Sequence, residues 1–138
     1  MTQQENKINY TIMNENEIGK RVIDASFRIH RMFGAGLLQP AYESLLFHEL
    51  KREGLKAKRQ VPIEINYYGH KIDEGFKADI IVENKIILKI ESVDSLTDIH
   101  KKTLVTYLKL TGYKLGFLLN FNSMLMKDGI TRIINGKI

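Results

Sequence analysis

The chain has 138 residues, 43% of them hydrophobic and 27% charged, which is enough for one domain with a single core. It contains no cysteine, and this excludes disulfides, cysteine-ligated zinc and thiol catalysis. Its 21 basic and 16 acidic residues give a net charge of +5, which mildly favours anionic partners such as nucleic acid.

The N-terminus is polar and lacks the apolar core of a signal peptide. No apolar run approaches the roughly 20 residues that span a bilayer. We therefore expect residues 1–13 to form a flexible arm and residues 14–138 to form a single domain. The protein is expected to be intracellular and cytoplasmic, without membrane contact.

Two helices are predicted in the first part of the chain. Asn14 and Glu17 have capping-box spacing, and apolar residues at helical spacing follow, so the first helix is predicted over residues 15–33. The second helix has Pro40 in its first turn, a position that tolerates proline, and Gly54 closes it.

Strand patterns come next. Residues 61–67 alternate between apolar and polar side chains, and residues 71–82 form a second strand that bends near Gly75. A short polar turn, residues 83–85, leads into a third strand over residues 85–92. The second and third strands are therefore predicted to form a β-hairpin.

A third helix is predicted over residues 98–111, followed by a strand at residues 114–119 and a last short strand at residues 129–135. This helix connects two strands as a crossover, so those two strands should be parallel. The order α-α-β-β-β-α-β-β predicts a mixed β-sheet flanked by helices, of the α/β (or α+β) class.

Asp79, Lys89 and Glu91 are charged residues in strands that otherwise have the apolar composition of buried strands. Because side chains alternate along a strand, residues 89 and 91 point to the same face. Burying a charge costs several kcal/mol unless it is paired or holds a metal. The three residues are therefore either a buried salt-bridge cluster or part of a functional site.

Several long phrases follow one another over roughly residues 15–136. They are Phe33-Gly-Ala-Gly36-Leu-Leu-Gln39-Pro-Ala-Tyr42-Glu43, Gly75-Phe-Lys-Ala-Asp79, Ser92-Val-Asp94, Thr106-Tyr107-Leu-Lys-Leu-Thr-Gly112 and Gly116-Phe-Leu-Leu-Asn120-Phe-Asn122. Together they resemble the PD-(D/E)XK nuclease superfamily, and more closely the small prokaryotic group called GxxExxY proteins. The resemblance implies a restriction-endonuclease-like fold.

The resemblance also implies a divalent-metal nuclease site. In such a site an aspartate and a glutamate from neighbouring strands hold Mg²⁺, and a lysine two residues after the glutamate orients the attacking water. A glutamate on the second helix adds a further acidic group. The chemistry needs these residue types because Mg²⁺ prefers oxygen ligands and the phosphoryl transition state is anionic.

This chain departs from that pattern, and only Asp79 matches it. Gln39 stands where the family name requires glutamate, Lys89 occupies the glutamate position and Glu91 the lysine position. The exchange moves each group by two residue rises, roughly 6.6 Å, which Mg²⁺–oxygen bonds of about 2.1 Å do not tolerate. A Lys89–Asp79 ion pair is expected to place an ammonium group at the metal position.

The preferred interpretation is a nuclease-like domain that binds nucleic acid without cleaving it and needs no cofactor. Lys77, Lys101 and Lys102, together with Lys89, are the candidates for contacting phosphates. Substrate, protein partner and oligomeric state stay open.

Two alternatives remain. In one, the chain is an active Mg²⁺-dependent nuclease in which Asp79 and Glu91 bind a relocated metal. In the other, it is a protein-interaction scaffold. Tyr67 and Tyr68 could form a contact surface for such a scaffold, but they are interpreted as ordinary packing residues. Glu43 could supply a carboxylate to a metal site, but it is interpreted as a cap or surface group.

Overall fold

The computed structural model describes residues 13–138, and residues 1–12 of the predicted N-terminal arm lie outside the described residues. Met13 is buried and packs in the core. Its carbonyl oxygen accepts a hydrogen bond from Lys85 Nζ at 2.6 Å. Met13, the last residue of the predicted arm, therefore packs as part of the folded domain.

The described residues form three α-helices, α1 (Glu15–Phe33), α2 (Gln39–Arg52) and α3 (Asp98–Thr111). The predicted capping box is present at α1, because Asn14 Oδ1 accepts a hydrogen bond from Glu17 N at 2.9 Å. In return, the Glu17 carboxylate accepts one from Asn14 N at 3.3 Å. The predicted bounds of α1 and α3 are confirmed. No helix within residues 13–138 has the length and apolar character needed to cross a membrane.

Seven strands follow the first two helices in the described part of the chain. They are β1 (Ala57–Pro62), β2 (Ile65–Tyr67), β3 (His70–Ile72), β4 (Lys77–Val82), β5 (Ile86–Glu91), β6 (Leu115–Asn120) and β7 (Ile130–Ile134). Five of them form a mixed sheet in the order β1-β4-β5-β6-β7, and β2 and β3 form a separate two-stranded sheet. Among the strand pairs of residues 13–138, only β5 and β6 are parallel, as the crossover through α3 predicted.

The prediction of continuous strands over residues 61–67 and 71–82 was wrong, because each region divides into two strands. Four residues separate β3 from β4, whereas only two separate β1 from β2, so one ladder cannot run through both pairs. Gly75, near which a bend was predicted, lies in the longer of the two connections with a φ of +82°.

The sheet is covered on both faces. Helices α1 and α2 pack on one face, where Leu88 and Ile90 of β5 point, and α3 packs on the other, where Ile87 points. Gly116 permits the close approach of α3, because a Cβ at this position would lie 3.0 Å from Leu104 Cδ1. By alternation along β5, Lys89 lies on the α3 face.

Candidate functional site

Asp79 lies where strands β4 and β5 separate. Their ladder ends at the pair formed by Ile80 and Leu88, and Asp79 is the neighbour of Ile80 on the unpaired side. Beyond that point Asp79 Oδ2 accepts a hydrogen bond from Ile90 N at 2.7 Å. The carboxylate thus takes the place of a main-chain acceptor, and it lies where the two strands separate.

Lys89 and Glu91 form an ion pair on β5, with 3.1 Å between Lys89 Nζ and Glu91 Oε1. The contact confirms that both side chains point to one face. The expected ion pair between Lys89 and Asp79 was wrong, since among the described residues the ammonium group pairs with Glu91. Glu91 lies beside Lys89 on the same strand, while Asp79 is turned towards the backbone of Ile90.

The pKa values show how these groups influence one another. Burial raises the pKa of Asp79 to about 6, even though the Ile90 N–H and the Lys89 charge act in the opposite direction. Burial alone would lower the pKa of Lys89, but the negative charges of Glu91 and Asp79 outweigh it and raise that pKa. Lys89 therefore remains an ammonium group, and Asp79 ionises less readily than an exposed aspartate.

Glu43 is a fourth member of this cluster, and its negative charge contributes to the raised pKa of Asp79. Its side chain is buried, which makes the expectation of a cap or surface group wrong. The carboxylate accepts hydrogen bonds from Gln39 Nε2 at 3.1 Å, Arg59 Nη2 at 2.9 Å and Gln60 Nε2 at 2.9 Å. Gln39 therefore supports Glu43 from one helical turn away.

Sequence reasoning missed Arg59 and Gln60. The register pairs on either side of Gln60 place it opposite Asp79. Its φ of +51° lies in the left-handed region, which is costly for a residue with a side chain and is frequent near functional sites. No pattern in the sequence marks Gln60, but Glu43 lies at helical spacing with Leu46, and this spacing could have identified it as an inward-facing residue.

The structure does not bring the three predicted phosphate-contacting lysines into contact with the Asp79 cluster. Lys77 begins β4, and Lys101 and Lys102 lie near the start of α3. All three side chains are exposed. Their ammonium groups have no hydrogen-bond or ion-pair partner within residues 13–138.

The loop between α1 and α2 is fixed beside the end of β5. The Tyr42 ring stacks on Phe121 with 4.7 Å between centroids, and its hydroxyl donates a hydrogen bond to Gly34 O at 2.5 Å. Ser92 Oγ donates to Leu37 O at 2.7 Å, which ties the loop to the residue that follows Glu91 in the chain. These contacts assign a structural role to the phrase that contains Tyr42.

Asn120 joins the ends of the two parallel strands. Its buried side chain accepts a hydrogen bond from Val93 N at 3.1 Å and donates one to Val93 O at 3.0 Å. The segment after β5 is thus held against the end of β6. The phrase around Asn120 supports the geometry of the site and does not enter the charged cluster.

Within residues 13–138 no group of three or more histidine, aspartate or glutamate side chains is arranged to hold a metal ion. The charged cluster contains three carboxylates, but two of them already contact a cationic side chain. Glu91 pairs with the Lys89 ammonium group, and Glu43 pairs with the Arg59 guanidinium group.

A family model described as the PD-(D/E)XK nuclease superfamily matches residues 16–133. No curated protein and no solved structure matches the chain. The family match and the five-stranded mixed sheet flanked by helices together confirm the predicted restriction-endonuclease-like fold.

Proposed function

The chain belongs to the PD-(D/E)XK nuclease superfamily, and from that membership we propose that it binds nucleic acid on a degenerate nuclease site without cleaving it. Within the superfamily we assign it to the GxxExxY proteins. The phrases around Gly36, Tyr42 and Asn120 support this narrower assignment.

The observation that carries the proposal is the ion pair between Lys89 and Glu91. Nucleases of this superfamily generally use Mg²⁺, and their motif places a carboxylate where this chain has Lys89. Here the Lys89 ammonium group lies 3.1 Å from the Glu91 carboxylate, which is the acidic group left on this strand face. A positive charge is therefore built into the region where a metal ion would be bound.

The remaining carboxylates do not fit Mg²⁺ as they are arranged. Mg²⁺ requires several oxygen ligands in near-octahedral geometry. Glu91 pairs with an ammonium group, and Glu43 accepts hydrogen bonds from three side chains. One oxygen of Asp79 accepts a hydrogen bond from Ile90 N. Gln39 adds no negative charge. We therefore derive no catalytic step through a metal ion.

Binding of the phosphate backbone requires cationic groups that are free to contact it. Lys77, Lys101 and Lys102 are exposed and have no ionic partner among the described residues. The net charge of +5 attracts polyanions over a longer range. By contrast, Lys89 is half-buried and engaged with Glu91, so we assign it no phosphate contact.

The proposal is tested by measuring binding and cleavage separately. Binding of labelled DNA and RNA is followed in EDTA at increasing salt, and plasmid cleavage is assayed with Mg²⁺ or Mn²⁺. We expect salt-dependent binding and no cleavage. Lys101→Ala/Lys102→Ala should weaken binding and reduce the slope of log K against log salt by about one for each phosphate that the variant no longer neutralises. Lys109→Ala/Lys114→Ala, which removes two other exposed lysines, is the matched control.

Two results would contradict the proposal. The first is an absence of binding at low salt. The second is metal-dependent cleavage that disappears in Asp79→Ala, which would support the alternative of an active nuclease with Asp79 and Glu91 as relocated ligands.

A further inference from the structure

The β1–β4 pair continues beyond the main sheet as a projecting segment, residues 63–76, which we call the tyrosine hairpin. At its base, Ile63 N donates a hydrogen bond to Phe76 O at 2.6 Å. Strands β2 and β3 pair along its length, and Tyr68 and Gly69 form the turn at its tip. The hairpin ends at Phe76, three residues before Asp79, so its base is close in the chain to the charged cluster.

The base of the tyrosine hairpin is fixed to the domain. Ile63 is buried in the core on the α3 face of the sheet. The Phe76 ring contacts Tyr107 of α3 edge-on, with 6.4 Å between centroids. Tyr68 lies six positions after Pro62 in the chain, so the tip can lie up to about 20 Å beyond the main sheet.

The tip presents two aromatic rings to solvent. Tyr67 is 60% exposed and Tyr68 is 89% exposed, so the expectation that they are ordinary packing residues was wrong. The rings contact one another edge to face, with 4.7 Å between centroids. With most of its surface open to solvent, the Tyr68 side chain is accessible to a ligand.

The turn that carries these rings has a defined conformation. Tyr68 and Gly69 have φ angles of +47° and +83°, the signs required by the tight turn of a two-residue hairpin. Gly69 N donates a hydrogen bond to Asn66 Oδ1 at 3.1 Å. The backbone that carries the aromatic pair therefore has a defined turn conformation before any partner binds, which lowers the entropic cost of binding.

We propose that the tip of the tyrosine hairpin stacks on unpaired bases of a single-stranded nucleic acid. This inference rests on the proposed function and adds a substrate class to it. Exposed aromatic rings bind single strands because every base has a π face that can stack on them. Bases of an intact duplex are stacked on one another and do not offer that face.

The basic side chains of the tyrosine hairpin lie beside its tip, and the acidic ones lie towards its base. His70 and Lys71 follow the turn directly and are exposed, so they can contact phosphates beside a stacked base. The carboxylates of the hairpin, Glu64, Asp73 and Glu74, lie towards its base and repel phosphates there. Phosphate contact is thus confined to the end that carries the two rings.

The test compares single-stranded and duplex DNA. Fluorescence anisotropy is measured with a labelled oligothymidylate of about 15 nucleotides and with a duplex of equal length, at the same salt. Tyr68→Ala should lose at least about fivefold in affinity for the single strand and keep its duplex affinity. Tyr68→Phe, which keeps the ring, should bind like the wild type. Met124→Ala, which truncates an exposed apolar side chain outside the hairpin, is the control.

The outcomes separate this inference from the proposed function. Wild-type binding that Tyr68→Ala leaves unchanged would overturn the stacking role and leave the proposed function standing. An absence of wild-type binding at low salt to the single strand, to the duplex and to labelled RNA would overturn both. A change in sedimentation coefficient in Tyr68→Ala with unchanged single-strand affinity would identify the tip as a protein contact, and this too would overturn the inference. Because Tyr68 is exposed, matching thermal unfolding of the variants is expected and serves as the folding control.

Discussion

Two clusters of charged side chains within residues 13–138 contain carboxylates whose pKa values shift in opposite directions. In the first cluster, between α1 and α2, Glu49 accepts hydrogen bonds from Arg52 Nε at 2.7 Å and from Arg28 Nε at 2.6 Å. The bond from Arg52 and that from Arg28 lower the pKa of Glu49 to about 2. In the second cluster, burial raises the pKa of Asp79 to about 6, although Lys89 lies nearby.

The difference shows that a nearby positive charge is not sufficient to stabilise a carboxylate. Glu49 receives its charges through direct hydrogen bonds, whereas Asp79 is bonded to a backbone N–H and the ammonium group of Lys89 contacts Glu91 instead. The Glu49 cluster is therefore a structural clamp between two helices. The Asp79 cluster keeps an incompletely compensated charge, which is the property expected of a functional site.

The contributions of Glu49 and Asp79 to the stability of the fold should depend on pH in opposite ways. The pKa of Glu49 is lowered from 4.5 to about 2, so its stabilising effect is complete above pH 4.5 and is lost as pH falls towards 2. The pKa of Asp79 is raised from 3.8 to about 6, so the folded state loses stability as pH rises through that window.

The largest effect is expected at Glu43, the most buried carboxylate of the Asp79 cluster. Glu43→Ala leaves Arg59 without its ionic partner and removes the acceptor of Gln60. We expect a loss of about 3 kcal/mol in the free energy of unfolding, measured by urea denaturation. Glu43→Gln, which keeps one acceptor oxygen, should lose less. A loss below about 1 kcal/mol for Glu43→Ala would mean that the cluster adds little to stability.

The second-largest effect is expected at Asp79, where the substitution should raise the free energy of unfolding and not lower it. Asp79→Asn removes a charge that the folded state disfavours and keeps an oxygen that can accept the Ile90 N–H. The variant should be more stable than the wild type by about 2 kcal/mol at pH 7 and nearly equal to it below pH 3.8. Urea denaturation at the two pH values measures the difference. A variant that is destabilised at pH 7 would show that the negative charge of Asp79 is well compensated.

The smallest effect is expected at Glu49, in the cluster that links α1 and α2. Glu49→Gln should lower the free energy of unfolding by about 1 kcal/mol at pH 7, because Arg52 is largely exposed and solvent screens its charge. The loss should shrink as pH falls towards 2, where wild-type Glu49 also becomes protonated. Thermal or urea unfolding of both proteins from pH 2 to 7 checks this. A loss that does not vary with pH would assign the effect to packing and not to charge.

Much of the fold followed from local patterns. The capping residue Asn14 placed the start of α1, and the crossover helix predicted that β5 and β6 are parallel. Alternation along β5 predicted that Lys89 and Glu91 share a face. These features were predictable because they depend on residues close together in the sequence or on one connection between two strands.

The site itself was less accessible to sequence reasoning. Which helix residue meets which strand depends on packing between distant segments, so the contact between Glu43 and Arg59 was missed. The direction of the Asp79 side chain depends on where the β4–β5 ladder ends, and no residue pattern marks that point. The tyrosine hairpin, residues 63–76, was missed. It separates from the main sheet because two residues connect β1 to β2 while four connect β3 to β4.

We propose that the Lys89 ammonium group takes the place of a divalent cation. Calorimetric titration with Mg²⁺ of the wild type beside Lys89→Glu/Glu91→Lys tests it most directly. The control is Lys127→Asp/Asp128→Lys, which exchanges two exposed neighbouring charges and leaves the net charge unchanged. We expect the wild type and the control to show no specific Mg²⁺ binding and the Lys89/Glu91 exchange to gain it. Stoichiometric Mg²⁺ binding by the wild type that disappears in Asp79→Asn would contradict the account.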